Sequence, residues 1–437
     1  MTLSREKRRE RLSTEISHDS STSSRGHLAL IFVLAAGSFF YVNIGSQLYA
    51  VEIALAFGLL LALPSHSARP KLGHGLALGM LLWTFSSLLS DLFVANETLN
   101  LVKGVLRVLF FATDVFALYY LCFGSAAAVL ALWWGIAFSG FLGHVIQPPF
   151  AAAGEPWKFG IGLSVTLLIV LWLAQREHGR LVTVAAFVGI AGVHFALGFR
   201  SMASITAICG LLMAVRVGSR YIAGPRLSRV RLRPIVLGIV GIVGILALSS
   251  VYDGLATQGY FGAVAQSKAA YQAGGAYGSS FSSRNEIFLS LQTIAQSPFI
   301  GGGSYSVATA AVSENAAVLL NNLGYSDVAS RLLEGAPAYH SEILGIWAEN
   351  GLLTLFFWLP VGALLVRSVF AVVYRETRLA PLVLFLSITG LWDLLFSPFG
   401  ADRRMWVAAT IVAVIVARAQ SAMPREERNA SDLDHHH

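Results

Sequence analysis

The stretch SAAAVLALWWGIAFSGFLGHVI, residues 125–146, runs for 22 positions without an Asp, Glu, Lys or Arg. A helix of that length reaches the roughly 20 apolar residues that a bilayer core demands. Working outward, comparable runs lie near 28–45, 47–63, 74–94 and 104–122 on one side. On the other they lie near 159–174, 181–198, 202–215, 234–251, 341–366, 380–396 and 404–417. Composition agrees, with 55% of residues hydrophobic and 13% charged, against the roughly one quarter charged in soluble domains. The expected fold is an all-α polytopic membrane protein with about twelve transmembrane helices, or ten to eleven if the shortest runs do not cross.

Charge sets the expected orientation, because Lys and Arg collect in cytoplasmic loops. With the N-terminus inside, 22 of the 31 Lys and Arg residues fall in or beside interior segments. This gives an N-in, C-in arrangement: cytoplasmic tails at 1–27 and 418–437, nine helices over 28–251, three over 341–417, and one large, partly helical external segment at 252–340. The first helix is expected to be retained as an anchor rather than cleaved as a signal peptide. The net charge of +7 belongs to this helix-flanking pattern, so no nucleic-acid partner is expected. Cys122 and Cys209 fall in or beside helices and imply no external disulfide.

The external segment changes character along its length. Its first third is rich in Gly, Ala, Ser and Tyr, and from Ser283 onward Ile287, Leu289, Leu291, Ile294 and Ala295 recur at mostly helical spacing. That pattern predicts an amphipathic helix lying on the outer membrane surface, with Ser282 or Ser283 as its N-cap. Ser297-Pro298 ends it, and Gly301-Gly302-Gly303 forms a tight turn. No Lys-Ser or Lys-Thr follows those glycines, so they are not a phosphate-cradling loop. A second helical stretch is expected near 305–333.

Several motifs together resemble the O-antigen ligase and Wzy-type polysaccharide polymerase superfamily. They are Arg284 opening a helix, Ser-Pro-Phe-Ile-Gly-Gly-Gly at 297–303, His340-Ser-Glu-Ile-Leu, and Glu349-Asn350-Gly351-Leu352. Gly198-Phe199-Arg200-Ser201 is similar to that family's Ser-Arg element, although Phe199 stands where a Ser is common and Ser341 where an Asn is common. The motifs cover roughly residues 195–360. The resemblance implies a membrane glycosyltransferase of a bacterial inner membrane, metal-independent, inverting and without a cofactor. Its donor is a glycan on undecaprenyl diphosphate, its site faces the periplasm or exterior, and its partners are those of a polysaccharide export assembly.

That chemistry asks for particular side chains. A leaving diphosphate spreads charge over several oxygens, which suits the planar, permanently charged guanidinium of Arg. Acceptor activation asks for a base near neutrality, which His supplies unperturbed. Arg200 and Arg284 are therefore the expected diphosphate ligands, and His340 the base or acceptor-orienting residue. Arg403, Arg404 and Glu349 are further candidates. An Arg at a helix end commonly only reaches to lipid headgroups, a reading that weighs most on Arg403 and Arg404. Glu349 is read first as bonding a neighbouring helix, and Arg107 with Asp114, seven residues on, as an intrahelical pair or polar groove. His144 and His194 carry no motif but share the outer half of the membrane.

External acids are scattered, with no external Asp-x-Asp, so no metal is expected. Three function classes stay open: a polymerase of exopolysaccharide, capsule or O-antigen repeat units; a ligase moving a finished glycan onto lipid A core; and a transporter without chemistry. Against the last, no duplicated halves with paired interrupted helices are visible.

Overall fold

The computed structural model describes residues 25–43, 47–62, 73–148, 153–175, 179–222, 244, 250–272, 286–305, 308–325, 329–330, 333, 339–374 and 379–422. Among them the chain is almost wholly helical. The helices are α1 (Arg25–Ala36), α2 (Ala50–Ala62), α3 (His74–Phe93), α4 (Thr98–Cys122), α5 (Ala126–Ile146), α6 (Gly162–Gln175), α7 (Arg180–Ala196) and α8 (Arg200–Ile222). They continue with α9 (Ala263–Gln272), α10 (Glu286–Gln296), α11 (Ala310–Asn322), α12 (Glu342–Asn350), α13 (Leu355–Tyr374), α14 (Ala380–Phe396) and α15 (Ala401–Ala422). Among the described residues, four spans are long and apolar enough to cross a membrane: His74–Phe93, Ala126–Ile146, Trp157–Gln175 and Leu352–Val373.

Two departures from the sequence expectation concern helix ends. The run 28–45 does not continue as one helix: α1 stops at Ala36, and β1 (Tyr41–Asn43) pairs antiparallel with β2 (Gln47–Tyr49) in the register Tyr41↔Tyr49. Aromatic and β-branched residues flanking Asn43 favour a hairpin there over a continued helix. The run 341–366 is likewise two helices, because Gly351 takes φ +82° and ends α12 before α13 begins.

Lipid tails are as apolar as Leu, so close packing rather than transfer from water holds such helices together. At Gly79 a Cβ would sit 2.9 Å from Phe356 O and Phe357 Cα, which shows how closely α3 approaches α13. Around this crossing Trp83, Phe111, Phe357, Trp358 and Phe399 form one ring cluster, with Phe399 5.2 Å from Trp358 and 5.3 Å from Phe111. Edge-on and tilted contacts of this kind add about 0.5–1.5 kcal/mol each beyond burial. They fix the segment between α14 and α15 against α3, α4 and α13.

A second, smaller core lies under α10. Leu289, Ile294, Val312, Ala316, Leu320, Tyr339 and Ala348 pack together, so the apolar face of α10 is spent on α11 and α12. The expected amphipathic helix thus forms, with its buried stripe facing protein. Leu291, on its other side, is 46% exposed.

Candidate functional site

The segment around His340 is held from three sides. The Tyr339 hydroxyl shares a 3.1 Å hydrogen bond with the Thr293 hydroxyl of α10. Ser341 caps α12 by accepting from Leu344 N at 3.1 Å, as its extended backbone (φ −153°) allows. The same hydroxyl donates to Leu394 O of α14 at 2.8 Å. His340, between these two anchors, is half-buried, and Glu342, one residue past the cap, is 1% exposed.

The far wall is the turn from α14 to α15. Asp393 accepts from Ser397 Oγ at 2.6 Å on one oxygen and from Arg403 Nη1 at 3.2 Å on the other. Both oxygens are therefore engaged, and the Arg403 side chain remains 29% exposed. Glu342 and Asp393 line one cleft between α12, α13, α14 and α15. Of the sequence-predicted residues, His340 and Arg403 are the two brought into this neighbourhood.

Arg404, the next residue, turns the other way. Its Nε donates to Glu52 Oε1 at 2.5 Å and its Nη2 to Glu52 Oε2 at 2.8 Å, with a further bond to Gln47 O at 3.3 Å. Glu52 also accepts from Tyr49 N at 3.2 Å. The fork of Arg404 is filled by the hairpin and α2, which makes it a buried tie between α15 and the N-terminal helices.

Arg200 opens α8 in a second neighbourhood. Its Nη1 donates to Asp253 at 3.1 Å and its guanidinium lies 4.8 Å from the Tyr252 ring centroid, which stacks on Phe261 at 4.9 Å. Just upstream, His194 is fully buried, with Trp157 Nε1 donating to its Nδ1 at 3.0 Å and Thr166 Oγ1 2.7 Å from its Nε2. Thr166 donates to Gly162 O, so the consistent arrangement has neutral His194 donating from Nε2. Both ring nitrogens are committed, which leaves a packing role. His144 is half-buried with its ring against Gly160. Arg284 lies outside the described residues.

Glu349 bonds α4 rather than a ligand. Its Oε2 receives Arg107 Nη2 at 2.6 Å; Arg107 is 3% exposed, also reaches Asn350 Oδ1 at 3.2 Å, and sits 4.8 Å from the Tyr305 ring centroid. Arg107 is thus paired 242 positions away, and an Arg107–Asp114 pair is not what forms. The two glycine motifs interlock above it. Gly302 N and Gly303 N donate to Ala348 O and Glu349 O, each at 2.8 Å, and Leu352 N donates to Phe299 O at 3.2 Å. Ser90, Asp91 and Asn96 fasten the same loop: Gly303 N donates to Ser90 Oγ at 3.0 Å, Ser304 N to Asp91 at 2.6 Å, and Asn96 Nδ2 to Ser304 O at 2.8 Å.

Sequence reasoning missed Glu342, Asp393 and the partner of Arg107. Asp393 lies inside an apolar run with no motif, and the only signal for Glu342 was its position two residues after His340. Neither a family model nor a curated protein matches this chain.

Proposed function

We propose that this chain is an inverting, metal-independent membrane glycosyltransferase whose donor is a glycan on undecaprenyl diphosphate and whose product is a polymer of a surface polysaccharide. The observation that supports it is the seating of Tyr339–Glu342 on the α14–α15 turn, which gathers a half-buried His340, a partly exposed Arg403 and two acids at one point. An acceptor hydroxyl attacks the anomeric carbon while the lipid diphosphate leaves. His340 orients or deprotonates that hydroxyl, and Arg403 and Arg200 neutralise charge on the departing diphosphate. In this reading the chain makes about twelve crossings of a bacterial inner membrane, N-in and C-in, with the site on the outer side. Arg284 completes the set of cations.

The test is turnover by purified, reconstituted protein given an undecaprenyl-diphosphate-linked repeat unit in the presence of a chelator. A ladder of glycan products supports a polymerase. Transfer only after lipid A core is added moves the reading to a ligase, and intact donor in every condition refutes it.

A further inference from the structure

Phe299 and Ile300 stand outside the protein, 72% and 36% exposed, on a backbone that is clamped on both sides of them. Trp347 Nε1 donates to Pro298 O at 2.7 Å, and Leu352 N donates to Phe299 O at 3.2 Å. Gly301 N closes on Ser297 O at 3.0 Å. The next three N–H groups, of Gly302, Gly303 and Ser304, donate to Ala348 O, Glu349 O and the Asp91 carboxylate. The fold therefore presents the two apolar side chains; they are not the by-product of a loose loop. Irregular backbone is tolerated at membrane depth only where protein satisfies its polar groups, and this turn meets that condition at the positions named.

The level of the turn follows from what clamps it. Ser90 and Asp91 belong to the last turn of the span His74–Phe93, and Leu352 is the first residue of the span Leu352–Val373. Both spans leave large apolar side chains exposed along their length. On α3 these are Leu78, Leu81, Phe85, Leu88 and Leu92, at alternating three- and four-residue steps; on α13 they include Phe356 and Leu359. Three- and four-residue steps place side chains on one face of a helix, and on a helix of membrane length such an apolar face is the one that meets lipid. Phe299 and Ile300 add two more large apolar side chains at the level where both spans end. Apolar groups at that level meet acyl chains just beneath the headgroups, where interfacial anchors lie.

We infer that Phe299 and Ile300 form an interfacial anchor, inserted among the acyl chains of the adjoining leaflet. The clamp ties them to α12, so their insertion also fixes the depth of residues 340–342, from which α12 starts. The occupant is bilayer lipid rather than a second copy of the chain, because the surface that the pair extends is the lipid-facing one. The inference needs the membrane spans and not the transfer chemistry proposed above.

The experiment places a nitroxide on Phe299→Cys in the full chain, held in nanodiscs of phosphatidylethanolamine and phosphatidylglycerol. EPR power saturation compares its collisions with oxygen, which concentrates in lipid, and with a neutral nickel chelate, which stays in water. Cys122 and Cys209 are both 0% exposed, so the unsubstituted protein serves as the labelling blank. Phe85→Cys, near the middle of α3, is the lipid reference, and Asn315→Cys, exposed on α11, is the water reference. The expected result is a preference for oxygen at position 299, at a depth shallower than Phe85, with the same preference from Ile300→Cys, which also stands in if the first variant misfolds. A preference for nickel like that of Asn315 at both positions overturns the inference. Protection from both reagents overturns it too, since the pair would then be covered by protein. A Phe85 label that reads as water instead removes the membrane-spanning reading, and the inference with it.

Discussion

Replacing Gly351 by Ala should cost more than almost any other single-methyl addition in this chain. Its backbone, φ +82° and ψ −175°, lies in a region that is essentially glycine-only and costs about 1–3 kcal/mol for other residues. The added Cβ would also sit 2.6 Å from the carbonyl carbon of Ile300 and 2.7 Å from its oxygen, and nearer still to Phe299 O. All of these are main-chain atoms, so relief requires the 299–303 strand of loop to withdraw. Withdrawal breaks three backbone hydrogen bonds to Ala348, Glu349 and Leu352, at about 1 kcal/mol each. The combined loss is about 4–6 kcal/mol, or roughly 4–7 °C in melting temperature for a chain of 437 residues. Gly362→Ala is the control: nothing lies closer to its added Cβ than Leu394 Cδ1 at 3.5 Å, and a helix interior prefers Ala. Thermal unfolding of detergent-purified protein reads both variants, with proteolysis near 299–303 as a local probe. A Gly351→Ala protein melting within about 2 °C of Gly362→Ala would refute the interlocked geometry.

The Arg107–Glu349 pair gives a second expectation: Glu349→Gln should lose about 3–5 kcal/mol by stranding a buried guanidinium. The double variant Arg107→Met with Glu349→Leu should regain most of it, and strictly additive losses in denaturant unfolding would argue against the pair. Arg403 and Arg404 should separate cleanly. Arg404→Lys breaks the two-pronged bond to Glu52 and should lower the melting temperature. Arg403→Lys should leave melting nearly unchanged and lower turnover, and the opposite pattern would reverse their assignments.

The apolar runs made the helices legible because a bilayer-length helix needs no distant partner to be recognised. The run 380–396 coincides with α14, and 125–146 falls within one residue of α5. What the sequence concealed depends on tertiary contact. Gly351 sits inside one continuous apolar run, and only its docking on Phe299 and Ile300 shows that the chain breaks there. Arg107 had a nearby carboxylate at Asp114, yet its partner comes from α12, brought by the glycine loop. Adjacent Arg403 and Arg404 looked equivalent, but successive helix positions point about 100° apart, so one meets Asp393 and the other Glu52. His340 was singled out by its motif, whereas Glu342 required knowing which side of α12 faces the cleft.

The measurement that bears most on the whole picture is glycan transfer from an undecaprenyl-diphosphate-linked repeat unit by wild type and His340→Ala, side by side in chelator. The expected result is a product ladder from wild type and none from His340→Ala, with equal melting temperatures and donor binding. Equal ladders from the two proteins would contradict a catalytic site built on Tyr339–Glu342 and the α14–α15 turn.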